Sequence, residues 1–180
     1  MKLQKKQEDS ELPVTPQQLL EHLRNLEIAF ELHEHEPIFT VSEGEHLKAS
    51  IPGLHCRNLF VRDKKEAMFL VVAANETALD MKKLQNLLDC GRLSFGSPDR
   101  LWKYLGIRPG SVCPFCIMND KDKKVRIMLD KSMMEAPRVN YHPMDNAMTI
   151  GLTPVDLIRF IEWTGHTPEI MDLSPAAPES

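Results

Sequence analysis

Residues 139–165 read VNYHPMDNAMTIGLTPVDLIRFIEWTG, and the way this run divides into elements decides the fold. Asn140, Tyr141 and His142 form a short extended run. Pro143 disfavours helix at the residue before it and keeps His142 extended. A turn through Met144, Asp145 and Asn146 leads to a strand over 147–150, which Gly151 is expected to break. Thr153 then caps a helix, Pro154 suits its first position, and Asp156 sits at its positive end. Leu157, Ile158 and Ile161 give that helix its apolar stripe, and Gly165 ends it. A histidine thus stands at a strand end with a strand and a helix behind it, the rigid backing a site needs.

Outward from this run, strand and helix patterns alternate irregularly. Thr15-Pro16-Gln17-Gln18 has the capping-box pattern, with Leu19, Leu20, Leu23 and Leu26 on the buried face. Extended segments are expected over 29–33 and 38–41, and Ser42-Glu43-Gly44-Glu45 opens a short helix to about Ala49. The clearest hairpin pairs 57–62 with 68–73 around Asp63-Lys64-Lys65-Glu66. Met81, Leu84, Leu87 and Leu88 mark a helix ending near Gly91. Ser97-Pro98-Asp99 starts another, with Leu101, Trp102 and Leu105 inward and Gly106 at its end. Segments 112–118, 125–129 and 169–173 read as extended. The pattern predicts an α+β fold, a mixed α/β sheet rather than a doubly wound one. One domain is expected over 15–173, between flexible tails at 1–14 and 174–180.

Composition narrows the classes. With 180 residues, 42% hydrophobic and 27% charged, the chain is long enough for one full core. A net charge of −4 argues against broad, non-specific nucleic-acid binding, DNA included, while leaving room for a local basic patch. No apolar run is long enough to span a membrane, and the N-terminal residues lack a signal-peptide core; a cytoplasmic location is expected. Cys56, Cys90, Cys113 and Cys116 are then expected as thiols. Cys113-Pro-Phe-Cys116 supplies half of a zinc site, but no second ligand pair exists, so no structural metal is expected there. Lys121, Lys123, Lys124 and Arg126 form one basic cluster; Arg57, Arg62, Lys64 and Lys65 form another. Each reads as a solvated face or as a phosphate contact. The residues alone carry the reading no further than an intracellular α/β domain with an anionic ligand.

Four segments carry a resemblance. They are His35-Glu-Pro-Ile-Phe-Thr-Val41; Gly53-Leu-His-Cys-Arg-Asn-Leu-Phe60 with Arg62-Asp-Lys-Lys65; Leu105-Gly-Ile-Arg-Pro-Gly-Ser-Val-Cys-Pro-Phe115 with Asn119-Asp120; and Asn140-Tyr-His-Pro-Met-Asp-Asn146 through Gly165-His166. In order and spacing the chain resembles the YbaK and prolyl-tRNA synthetase associated domain family of aminoacyl-tRNA deacylases, most closely its free-standing ProXp-ala type. The resemblance implies a mixed, partly barrel-like β-sheet surrounded by helices. It also implies hydrolysis of the ester joining a wrong amino acid, alanine above all, to tRNA(Pro), with prolyl-tRNA synthetase as a second partner and no cofactor or metal. In this family the attacking water is helped by the terminal ribose hydroxyl of the substrate.

Residue by residue, the resemblance assigns catalysis to Arg57, Asn58 and His142. It assigns substrate contacts to Phe39, Gly110, Ser111, Val112 and Asn146, and with tRNA as the substrate the basic clusters offer weaker tRNA contacts at Lys64, Lys65, Lys121, Lys123, Lys124 and Arg126. Arg57, Asn58, the Gly110–Val112 loop and His142 are expected to converge on one pocket, with Phe39, Val41, Leu54 and Met148 as candidates for its apolar wall. Arg57 departs from the family, which has lysine there. An arginine can anchor a phosphate through two parallel hydrogen bonds, but it is a poor proton donor. The alternative is a non-catalytic tRNA-binding or synthetase-associated module that kept the fold.

Overall fold

The computed structural model describes residues 12–174 apart from Phe39. The expected tails at 1–11 and 175–180, and the substrate contact assigned to Phe39, lie outside the described residues. Leu12 and Val14, read as part of the N-terminal tail, instead pack against the main core.

Helix α1 (Pro16–Asn25) opens on the expected capping box of Thr15 and Gln18. Strand β1 (Glu31–Glu34) follows. Helix α2 (Val41–Ser50) begins earlier than the sequence suggests, because Thr40 is its cap and Glu43 completes the box. The extended segment expected at 38–41 gives way to that cap. Strands β2 (Leu54–Arg62) and β3 (Met68–Ala74) form the expected hairpin. Helix α3 (Met81–Leu88) stops short of Gly91, since Asp89 takes the left-handed conformation at φ 50°. Strand β4 (Ser94–Phe95) and helix α4 (Pro98–Leu105) come next.

Residues 112–118 are not a strand. Pro114 starts a 3-10 helix (Pro114–Asn119) that buries Phe115, Cys116 and Ile117. Strand β5 (Val125–Asp130) leads into a second 3-10 turn (Lys131–Glu135). Strands β6 (Val139–Tyr141) and β7 (Met148–Leu152), helix α5 (Pro154–Trp163) and strand β8 (Glu169–Met171) complete the chain.

The strands pair in the order β1-β7-β6-β2-β3-β5-β8, with β4 on β2. Pairs β2–β6, β3–β5 and β5–β8 are parallel and the others antiparallel, so the sheet is mixed. Strand β2 joins its two halves, pairing with β6 through Leu54 and His55 and with β4 through Val61 and Arg62. Gly151 does not break β7; it pairs with Glu31 and Asn140. It is needed for space, since a Cβ there would come within 2.7 Å of Asn140 Oδ1 and 2.8 Å of Arg138 Cδ.

Both faces of the centre are covered, which is why every residue of β3 is buried. Met68, Leu70 and Val72 face the main core with α1, α4 and α5. Phe69, Val71 and Ala73 face a smaller core closed by Leu84 and Leu88 of α3. This alternation decides the site, because it sends neighbouring residues of β2 to opposite faces.

Candidate active site

Strand β2 carries Cys56 and Phe60 on the main-core face, and Leu59 and Val61 on the other. By the same alternation Asn58 belongs with Cys56 and Phe60, and Arg57 with Leu59 and Val61. Asn58, Cys56 and His142 line a cavity of about 140 Å³ between β2, β6, β7 and helix α2. Ile38 and Leu47 give it an apolar wall, and Lys48 of α2 stands at its edge in an ion pair with Glu45 at 2.8 Å.

His142 is held in one state. Its Nδ1 lies 2.7 Å from the Met148 carbonyl oxygen, so Nδ1–H donates there and Nε2 is left as an acceptor. Burial pushes its pKa below the usual 6.5, and the neighbouring His35 works in the same direction against the Met148 bond. His35, whose ring centre is 6.1 Å from that of His142, is itself fixed. Its Nδ1 bonds the Glu36 carbonyl at 2.8 Å, and its Nε2 meets the Thr149 hydroxyl at 2.8 Å. His55 bonds the Ile51 carbonyl through Nε2 at 3.0 Å.

Among the described residues, two polar atoms here lack the partner that burial normally demands. Asn58 Oδ1 and Asn140 Oδ1 are buried and unbonded, although Asn140 donates to the Pro52 carbonyl at 3.1 Å. Neither the Cys56 thiol nor the Tyr141 phenol of the lining is a ready nucleophile. Burial pushes the Cys56 thiol up to about 12 and holds the Tyr141 phenol well above its ordinary value.

The remaining expected site residues stand elsewhere. Arg57 does not line the cavity; its Nη2 donates to the Thr77 carbonyl. Gly110, Ser111 and Val112 are also absent from the lining, and Val112 packs against the main core. Gly110 and Ser111 belong to a turn that Ser111 N closes onto the Arg108 carbonyl at 3.3 Å. Asn146 reaches the site at one remove, donating to the carbonyl of Ile38 at 3.4 Å. Leu54 packs on the main core and Met148 contributes its carbonyl, so neither forms the apolar wall; Val41 is the first residue of α2.

The expected basic cluster divides. Arg126 is engaged bidentately by Glu169 at 2.9 and 2.6 Å. Lys121, Lys123 and Lys124 are exposed. Lys64 and Lys65 sit on the β2–β3 turn, about 20 Å along the strand from Asn58. Cys113 and Cys116 are fully buried with their sulfurs 3.3 Å apart and Met144 Sδ beside both. Among the described residues, no group of three or more His, Cys, Asp and Glu side chains is placed to hold a metal ion. Nor is any helix there long and apolar enough to cross a membrane.

Sequence reasoning missed Lys48, His55, Asn75 and Thr149 as cavity residues. His55 stood inside a resembling segment, but nothing local marks Lys48, which enters because α2 folds over the strand ends.

Known proteins share the sequence pattern and the fold of this chain. The family model for the aminoacyl-tRNA editing domain matches residues 35–160. The prolyl-tRNA editing protein ProX of Acetoanaerobium sticklandii is 35% identical over 158 residues, covering 87% of this chain and 96% of that protein. The prolyl-tRNA synthetase associated domain-containing protein 1 of Danio rerio is 34% identical over 156 residues, covering 86% and 85%. A solved structure whose assignment as a trans-editing enzyme for prolyl tRNA synthetase is itself inferred shares the fold, with a TM-score of 0.64 at 19% identity over 82% of this chain and 87% of that one. The chain belongs to the aminoacyl-tRNA editing domain family.

Proposed function

We propose that this protein is a trans-editing deacylase that hydrolyses the ester of mischarged tRNA(Pro), with alanine as the preferred amino acid. The observation that carries the reading is the small cavity, whose buried Asn58 Oδ1 has no partner and whose His142 is held neutral. An unpaired buried acceptor favours a ligand that brings a donor, and the α-ammonium of an aminoacyl ester is one. With a volume of about 140 Å³ the cavity admits a small amino-acid side chain. A synthetase pocket shaped for proline discriminates poorly against a smaller side chain, about 1–3 kcal/mol per methylene. A second, smaller site supplies the missing discrimination by excluding proline.

The chemistry follows from what the cavity lacks. With the Cys56 thiol and the Tyr141 phenol both protonated at neutral pH, a covalent intermediate on either is disfavoured. Water, assisted by the terminal ribose hydroxyl, is the fitting nucleophile. Neutral His142 accepts a proton or a hydrogen bond through Nε2, and Asn58 holds the amino acid. Lys48, in the cavity lining, supplies a cation for a terminal phosphate. Prolyl-tRNA synthetase, which produces the mischarged species, is the fitting partner, and the cytoplasm the fitting location.

The test is single-turnover hydrolysis of Ala-tRNA(Pro) beside Pro-tRNA(Pro). Rapid release of alanine with proline spared supports the reading. Equal rates would sink the size argument, and an inert protein would leave a tRNA-binding module. Cys56→Ala should retain the parent rate; a hundredfold loss would mean that the thiol attacks.

A further inference from the structure

A second concavity, sharing no lining residue with the first, lies among α1, α4, α5 and the 3-10 helix at 114–119. It encloses about 420 Å³. The chain has two tryptophans, and both line this groove, with Trp102 38% and Trp163 46% exposed. Trp102 was expected inside the core; its ring instead lies under the Arg108 guanidinium, 4.5 Å from the ring centre. Trp163 is braced by Phe160 at 5.7 Å and by His22 at 5.3 Å. Each indole is therefore fixed by a neighbour while still exposed. Lys103, whose ammonium lies 5.2 Å from the Tyr104 ring centre, and Lys121 supply the cations of the lining, and no carboxylate joins them among the described residues. In a chain of net charge −4, a groove with two lysines and no acid is a departure that favours a polyanion.

We propose that this groove is a second RNA-binding site, which stacks unpaired bases of the tRNA substrate on Trp102 and Trp163 and holds their phosphates with Lys103 and Lys121. The pairing of aromatic faces with cations is how single strands are bound without sequence readout. Tyr141 lines the cavity, and aromatic contacts of 6.0, 5.2 and 5.7 Å run from it through the buried Phe115 and Phe160 to Trp163, so the two sites flank one core within about 17 Å in a straight line. The proposal rests on tRNA being the substrate and adds to it where the strand is gripped.

Because both tryptophans stand here, intrinsic fluorescence reports on this groove alone. The protein is titrated with deacylated tRNA(Pro), with an acceptor minihelix ending in single-stranded CCA, and with the same minihelix cut blunt. Quenching by the first two and not by the blunt duplex is expected. The double variant Lys103→Glu, Lys121→Glu changes two exposed side chains. It should weaken minihelix binding about tenfold or more and flatten the log–log salt dependence by about 1.4. Trp102→Ala should weaken binding about tenfold on its own. Emission unchanged at saturating tRNA, equal quenching by the blunt duplex, or unaltered binding by the double variant would overturn the proposal. So would emission that shifts with protein concentration and dimer mass without RNA, which would assign the groove to a second copy. An inert protein whose emission tRNA still quenches would sink the deacylase and support the groove; active hydrolysis with unchanged emission would sink the groove alone.

Discussion

Asp120 and Asn58 are both polar residues drawn into the interior, and they are treated in opposite ways. Asp120 Oδ1 accepts from Lys124 N at 3.0 Å; Oδ2 accepts from Val125 N at 2.8 Å and meets His166 Nε2 at 3.0 Å. His166 Nδ1 in turn reaches the Thr164 hydroxyl at 2.9 Å, which donates to the Ile161 carbonyl at 2.6 Å. Nothing in that knot is left over for a ligand. At Asn58 the carboxamide oxygen is buried with nothing to accept. A satisfied buried network fixes a structure, whereas an unsatisfied buried group costs stability unless a ligand completes it. The knot ties the start of β5 to the end of α5; the cavity waits between β2 and α2.

The widest break in this comparison is Asp120→Ala. It strips two backbone N–H groups and His166 of their acceptor at once. Removing one partner of a buried pair costs about 3–5 kcal/mol, on the order of 10 °C in Tm for a domain of this size. Calorimetry should show that loss, and hydrolysis at low temperature should survive it. A variant with parental Tm would mean that the knot is idle.

His142→Ala should do the reverse, lowering the rate about 10²- to 10⁴-fold with little change in Tm, as expected when a group that handles a proton is removed. A rate within threefold of the parent would remove His142 from the chemistry. The pH dependence sharpens the point. Above about 6.5 His142 is neutral in both folded and unfolded chains. As pH falls below about 6.5 the unfolded chain takes the proton first, so stability is lost on acidification until the lowered folded pKa is reached. Activity should accordingly persist below 6.5, and His142→Asn should show a smaller fall in Tm between pH 7.5 and 5 than the parent. An identical fall in both proteins would locate the titration elsewhere.

Asn58→Ala is the intermediate case. A hydrogen bond to a charged group is worth about 1.5–3 kcal/mol, so the rate should drop about ten- to a hundredfold. Stability should hold or rise, because the variant deletes an unpaired acceptor. A large fall in Tm would place Asn58 with Asp120 as a structural residue.

The same contrast separates what was legible in the sequence from what was not. Caps and hairpin were legible because their chemistry is local: Thr15, Ser97 and Thr153 each accept from a backbone N–H three residues on. Asn58 and His142 were found through resembling segments, and so were Asp120 and His166, whose partnership is structural. Sequence spacing alone does not distinguish the two pairs; only the count of satisfied atoms does. Period-two alternation could have warned that Arg57 and Asn58, as neighbours on one strand, face opposite sides. Lys48 was illegible because its place depends on how α2 crosses the strand ends, and Trp102 because Arg108, not the core, receives its ring.

Arg57 carries the smallest expected effect. Its guanidinium donates to the Thr77 carbonyl. The Thr77 hydroxyl donates to Asp130 Oδ2 at 2.6 Å, and Asp130 also accepts from Ala74 N at 3.2 Å. Arg57 thus clamps the loop after β3, and that loop carries Asn75 into the cavity wall. As a clamp it acts through position. Arg57→Ala should cost about 1 kcal/mol of stability and a few-fold in rate, and Arg57→Lys should recover part of both by offering one donor for the lost fork. A phosphate anchor would leave another trace: a ten- to hundredfold loss in Arg57→Ala, unchanged Tm, and a salt dependence flattened by about one contact. Measuring rate, Tm and salt slope on the parent and the two variants decides between the clamp and the anchor. If Arg57→Lys outruns the parent at every salt concentration, both fail, and arginine at this position is a brake on the chemistry.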